Sequence, residues 1–370
     1  MKQYQKPEVF YENFVLAEHI AQCDYKLGNA DTQNCAIILD RYPYDGGDLA
    51  QAGVFAGSAC TTIVKEEFYC YTNGVDLPKI FQSCPPVESI SFSIAGCEIR
   101  LLMPFRPEVT RGFQPFLCAP GEAPLIVSLL PVQALPEVRG RELLRNYAFA
   151  VFRTEDGFFR VFHDRREGDR PYAVGHLEPD GRETIEYLEA DRGFFSETAN
   201  CFSHIALEAL LLQRDAMILH ASFVSTRYGG LLFSGVSGIG KSTQADLWQR
   251  YEGAELLNGD RTVLRRMDGV WTAFGSPYAG SSNCFVNESR PVRAIVLLSQ
   301  GSACSLRRLS PAAAFRGLYA GMTVNLWDDR YVARVCDLLA ALDVPVYALT
   351  CTPDRAAVDC LKAELEHETA

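Results

Sequence analysis

No stretch of this sequence is apolar for long enough to cross a bilayer; the best candidate, APLIVSLLPVQAL, is short and interrupted by prolines. The N-terminus, MKQYQKPEVFYENF, lacks the apolar core of a signal peptide. Positive charge is also scarce. Thirty-five Lys and Arg against 46 Asp and Glu leave a formal net charge of −11, which argues against sequence-independent binding to nucleic acid or to an anionic membrane. Cysteine is not scarce, at 13, but no C-x-x-C pair occurs, so the usual spacing of a zinc site or a thioredoxin-type pair is missing. An odd number of scattered cysteines reads as buried, reduced thiols. Cys23, Cys35, Cys60 and Cys70 stand apart because they fall in an unusual N-terminal segment. Together these absences lead us to expect a soluble, cytoplasmic protein.

What is present is ordinary globular composition, 48% hydrophobic and 22% charged, over 370 residues. That length suits two domains, or one large domain with an appendage. Residues 1–75 carry polar, Gly-rich clusters (KLGNADTQN, YPYDGGDLAQAG) and read as an arm or a small appended module. Residues 76–196 hold short alternating runs such as SISFSI, EIRLLM, YAFAVFRT and TIEYLE, divided by Ala-Gly, Glu-Asp-Gly and Pro-Asp-Gly. This pattern predicts an antiparallel β-rich subdomain. From 197 to 370 helical and strand signals alternate, beginning with one predicted helix over 197–216. PVRAIVLLSQ and VPVYALTC read as buried strands. SPAAAFRGLYAGM, DRYVARVCDLLAAL and PDRAAVDCLKAELEHE read as helices.

The chemistry concentrates in one stretch. Gly235, Val236, Ser237, Gly238, Ile239, Gly240, Lys241 and Ser242, followed by Thr243, match the phosphate-binding loop pattern in full. Glycine is needed at 235, 238 and 240 because backbone N–H groups must wrap closely round phosphate oxygens. Lys241 is placed to bring charge to the β/γ-phosphates and Ser242 to offer a hydroxyl to Mg²⁺, so ATP and Mg²⁺ are the expected cofactors. The approach to this loop is unusual. MILHASFVS and GLLFSG are joined only by Thr226-Arg227-Tyr228-Gly229-Gly230, too short for a parallel crossover, so a hairpin is predicted. Downstream, LLNGDRTVL sets Asp260 after an apolar run, as a magnesium ligand or a proton acceptor. Asn258-Gly259-Asp260 also reads simply as a turn. His220, on the first strand of the hairpin, is by type more often a core residue than a catalyst. The hairpin nevertheless lays it alongside the loop.

The order of histidine strand, glycine turn, phosphate loop, helix and acidic strand end resembles the bacterial HPr kinase/phosphorylase family. It is similar too to related kinases encoded beside modified-peptide and lasso-peptide gene clusters, and more remotely to phosphoenolpyruvate carboxykinases. Leu219-His220-Ala221-Ser222, FGSPYAG at 274–280, AIVLLSQ at 294–300 and RLSPAAAF at 308–315 carry the likeness, which spans about 85–365 and is strongest over 217–263. It implies an α/β (α+β) fold with a mixed-sheet P-loop domain. It also implies an ATP-dependent kinase acting on a hydroxyl of a protein, peptide or small molecule, with Asp260 as base and magnesium contact and His220 tuning it. The rival readings are a degenerate ATP-binding regulatory or peptide-binding module, and a nucleotide hydrolase or phosphorylase; oligomeric state is left open. One departure matters: the family's second aspartate is Arg261 here, and a guanidinium there weakens Asp260 as a base unless it points at phosphate. Residues 1–23 also resemble the leader of a precursor peptide, against the plainer reading of a solvated arm.

Overall fold

The computed structural model describes residues 88–164, 168–178 and 181–367, with short strands at 37–38, 60–64 and 67–71. The leader-like residues 1–23, with Cys23 and Cys35, lie outside the described residues. By contacts the chain divides into two compact units. One is 1–89 with 102–106; the other is 90–101 with 107–370. The predicted β-rich region and the loop-bearing region thus fall largely within a single unit.

Strands β1 (Ile37–Ile38), β2 (Cys60–Val64) and β3 (Glu67–Tyr71) form a small sheet, parallel between β1 and β2 and antiparallel between β2 and β3. The second sheet contains β4 (Glu88–Ile94), β5 (Cys97–Met103), β6 (Leu125–Val132), β7 (Arg141–Arg145), β8 (Phe149–Thr154), β9 (Gly157–Asp164), β10 (Arg170–Leu177) and β11 (Glu183–Leu188). Its order is β4-β5-β6-β11-β10-β9-β8-β7. The alternation seen in the sequence is the alternation of burial: Cys97, Ile99 and Leu101 point inward, with Glu98 and Arg100 between them. The run from β7 to β11 is antiparallel, as expected. However, β6 and β11 pair in parallel, so the sheet is mixed.

The third sheet carries the site. It comprises β12 (Ala216–Thr226), β13 (Gly229–Ser234), β14 (Glu255–Asn258), β15 (Arg261–Met267), β16 (Val270–Phe274), β17 (Ser289–Gln300), β18 (Ser305–Arg308) and β19 (Val346–Cys351). β12 and β13 are antiparallel, Thr226 facing Gly229 across a two-residue turn, so the predicted hairpin is present. β17 pairs antiparallel with β16 and then parallel with both β13 and β19. Among the described residues six α-helices accompany these sheets: α1 (Thr198–His204), α2 (Leu207–Leu212), α3 (Lys241–Glu252), α4 (Pro311–Tyr319), α5 (Asp329–Ala340) and α6 (Arg355–His367). α4 and α5 belong to a core with Leu219, Phe223, Leu232 and Trp271. α3 and α6 belong to another, with Phe233, Val296, Tyr347 and Leu349. Among the described residues no helix is long and apolar enough to cross a membrane.

The single helix expected over 197–216 is broken into α1 and α2. The break is imposed from the neighbouring sheet. Both carboxylate oxygens of Glu183, on β11, accept from the Ala206 backbone N–H at 3.0 Å. Arg160, on β9, donates to the last carbonyl of α1, His204 O, at 2.8 Å and pairs with Glu183. A carboxylate at the start of α2 and a guanidinium at the end of α1 each match the local helix dipole, and both favour two helices over one.

Candidate functional site

Three loop segments, one strand and the start of α3 build the site. The segment from Gly235 to Gly240 links β13 to α3, and positive φ angles of 151°, 78° and 116° at Gly235, Gly238 and Gly240 turn it back over the start of the helix. Gly240 is the residue preceding α3, where a left-handed conformation is one that side-chain-bearing residues rarely adopt. Lys241 opens the helix, and its Nζ donates to the carbonyls of Gly235 and Val236 at 3.1 and 3.2 Å. Its ammonium thus lies against its own loop. Burial lowers the Lys241 pKa, and the nearby Asp260 charge opposes that shift. Behind the loop, buried Ser222 donates to the Lys241 carbonyl at 3.1 Å, tying the helix start to β12.

The opposite wall follows from the length of β12. Its first half pairs with β15, bringing His220 opposite Arg261, and its second half pairs with β14, bringing Phe223 opposite Asn258. Between β14 and β15 the chain must bulge, and Asn258-Gly259-Asp260 is that bulge. Asn258 Oδ1 accepts from the N–H groups of Asp260 and Arg261 at 2.9 and 2.8 Å, closing an Asx turn. The Asp260 carbonyl accepts from Ala221 N–H at 2.9 Å, fixing the turn to β12. The segment has little room to shift. A Cβ on Gly280 would lie 2.9 Å from Asp260 Cβ, and one on Gly259 would collide with Ser282.

His220 Nε2 lies 2.9 Å from Asp260 Oδ1, with the two side chains 36% and 31% exposed. A carboxylate oxygen only accepts, so Nε2 carries the proton. Burial, then the Lys241 charge, lower the His220 pKa, while the Asp260 charge opposes them. The imidazole is therefore neutral near pH 7. Arg261 Nε stands 3.9 Å from Asp260 Oδ2, beyond hydrogen-bond reach, and Arg261 Nη1 donates to Thr323 Oγ1 at 3.1 Å. The guanidinium is thus held at Thr323.

Between the walls lies a cavity of about 310 Å³. Ser237, Gly238, Gly240, Lys241, Ser242 and Thr243 line it from the loop side; His220, Gly259, Asp260 and Ser281 line it from the other. Of the residues singled out from sequence, Gly235, Val236 and Ile239 do not line it: Val236 is 71% exposed, and Ile239 packs toward the core. Two lining residues, Gly259 and Ser281, were not anticipated. In the sequence Gly259 reads only as part of a turn, and Ser281 lies in Gly280-Ser281-Ser282, a segment with no signal beyond small residues.

Among the described residues no group of three or more His, Cys, Asp and Glu could hold a metal. A magnesium–nucleotide site does not require one, because Mg²⁺ keeps several waters and takes one or two protein ligands beside the phosphates. One hydroxyl (Ser242) and one carboxylate (Asp260) on facing walls fit that donor set.

No family model matches the chain, and no curated protein does. Among solved structures, the HPr(Ser) kinase/phosphatase from Coxiella burnetii is similar at 14% identity and a TM-score of 0.27, over 41% of this chain and 94% of that one. A likeness that slight carries no function.

Proposed function

We propose that the protein is an ATP-dependent phosphotransferase acting on a hydroxyl group. The observation that supports this best is the His220–Asp260 pair, which faces Lys241 and Ser242 across one small cavity. The loop N–H groups and the start of α3 bind the phosphate chain, and Lys241 leaves its own carbonyls for the β/γ-phosphates. Bound Mg²⁺ would offset charge on the transferring group, held directly by Ser242 and, through one of the waters it keeps, by Asp260. Asp260 orients the acceptor hydroxyl and takes its proton. Oδ1 is occupied by His220, so Oδ2 is the oxygen that receives it. Neutral His220 aims the carboxylate and, by donating one hydrogen bond, steadies it.

The acceptor is a protein, a peptide or a small molecule bearing a hydroxyl. A second reading has one residue in its favour. Arg261 occupies the position of the family's second acid, as it would in a module that binds ATP without transferring phosphate. Incubating the protein with Mg²⁺, γ-labelled ATP and a cell extract separates the two. Label on a macromolecule or metabolite, lost in Asp260→Asn, supports transfer; ATP binding without any labelled acceptor or released phosphate supports the regulatory module.

A further inference from the structure

At the far edge of the third sheet, β18 and β19 run antiparallel, and Ser305 opposite Thr350 is their last pair. Continued one step, the same register sets Cys304, whose Sγ lies 3.2 Å from Thr352 Oγ1, opposite Cys351. Directly opposed residues of such a pair have Cα atoms about 4.5–5.5 Å apart, within the span of about 4.4–6.8 Å that a disulfide bridges. The two side chains share a face. Cys351 is part of the core cluster formed with α3 and α6, and Cys304 packs against that cluster. Both are free thiols, Cys351 buried and Cys304 half-buried. We propose that Cys304 and Cys351 are a redox modification site, closing to a cross-strand disulfide under a disulfide oxidant such as oxidised glutathione.

The half-buried thiol reacts first. Cys304 thiolate attacks oxidised glutathione, forms a mixed disulfide and expels one glutathione thiolate. Cys351 thiolate then attacks the Cys304 sulfur and expels the second. Two protein thiols lose two electrons and two protons, and one glutathione disulfide becomes two thiols. Burial, and then the nearness of Cys304, raise the Cys351 thiol pKa, which keeps it from reacting first with the outside oxidant.

The consequence reaches the phosphate loop by two short routes. Cys351 Sγ accepts from Gln244 Nε2 at 3.4 Å, and Gln244 sits in the first turn of α3, its N–H bonded to the Gly240 carbonyl. The amide oxygen of Gln244 has no hydrogen-bond partner, so this sulfur contact is what orients the side chain. Gln300, paired with Cys351 across β17 and β19, donates to the carbonyls of Gly238 and Ile239 at 3.4 and 3.5 Å. Drawing Cys351 Sγ toward Cys304 removes the Gln244 contact and shifts the strand position opposite Gln300. The pairing itself does not depend on the nucleotide reading.

The test uses the full chain in glutathione redox buffers, with disulfides mapped by mass spectrometry and amide exchange followed over 235–244. The expected result is a Cys304–Cys351 linkage, reversed by reduced glutathione, with at least a threefold change in loop exchange on oxidation. Cys304→Ser, at the less buried position, should abolish both; Cys351→Ser should do the same if it folds. A linkage to Cys360 instead, glutathione left on Cys304 without a protein disulfide, or loop exchange unchanged by the linkage would overturn the proposal. None of these readouts requires ATP, so they stand or fall apart from catalysis.

Discussion

Two histidines of this protein sit in hydrogen-bonded clusters, and their surroundings make opposite uses of the same chemistry. His204 is 5% exposed. Its Nδ1 faces the Asn200 carbonyl at 2.7 Å and its Nε2 faces the Tyr172 hydroxyl at 2.6 Å, while Arg160, donating to the His204 carbonyl, is paired with the fully buried Glu183. Its ring nitrogens are satisfied, and no lining residue of the cavity belongs to the cluster. His220 is partly exposed and spends one nitrogen on Asp260, which lines the cavity and whose second oxygen lies 3.9 Å from Arg261 Nε, beyond hydrogen-bond reach. A histidine between fixed partners ties a helix to a sheet. A histidine on a carboxylate with an uncommitted oxygen can serve chemistry. Residue type does not distinguish them; the completeness of the hydrogen bonding does.

The hardest break in that comparison is at the buried cluster. Arg160→Ala leaves Glu183 buried without its charge partner, and we expect a loss of about 3–5 kcal/mol in denaturant unfolding. Asp260→Asn should do the reverse: stability and ATP affinity kept, phosphoryl transfer reduced by about 10²-fold or more, measured with labelled ATP. If Arg160→Ala costs little stability, or Asp260→Asn costs much, the two clusters have been assigned the wrong way round.

A pH titration sharpens the contrast. Burial depresses the His204 pKa from 6.5 to about 4. Between those values the unfolded chain binds a proton that the folded protein refuses, so stability falls as pH drops through that window, by up to about 3 kcal/mol. Burial raises Glu183 despite Arg160 and the Ala206 N–H, and that works in the opposite sense, costing stability as pH rises. The His204 contribution is therefore read as the difference between wild type and His204→Asn, whose stability should lack this loss toward pH 4. His220→Ala should leave the unfolding profile nearly unchanged and lower transfer by less than Asp260→Asn, about tenfold. Arg261→Asp is the finest probe. If the guanidinium held at Thr323 merely weakens Asp260, transfer rises; if it swings to phosphate during turnover, transfer is lost.

Much of the loop-bearing sheet was legible in the sequence because its signals are local. Glycine spacing marks 235–240, a connection as short as 226–230 forces the hairpin, and the apolar runs of β17 and β19 announce buried strands. Asn258-Gly259-Asp260 was legible twice over, as a turn and as a place for a carboxylate facing the loop, and the two descriptions coincide because the bulge between β14 and β15 is what presents Asp260. What escaped was set at long range. Apolar spacing runs unbroken through 197–216, and only a carboxylate and a guanidinium from two distant strands divide it. The parallel pairing of β6 with β11 leaves no mark in either strand. Ser281 reaches the cavity because Gly280 fits against Asp260, a contact of shape and not of pattern.

The central claim is that the 310 Å³ cavity receives the phosphates of ATP. Because Lys241 is largely buried, the cleanest variant is Lys241→Met, which keeps the aliphatic stem and removes the charge. Calorimetric titration of Mg²⁺–ATP into wild type and Lys241→Met is the most direct measurement. The account predicts saturable binding in the wild type and at least tenfold weaker binding in a variant that unfolds at the same denaturant concentration; equal affinity in the two proteins, or no binding to the wild type, would contradict it.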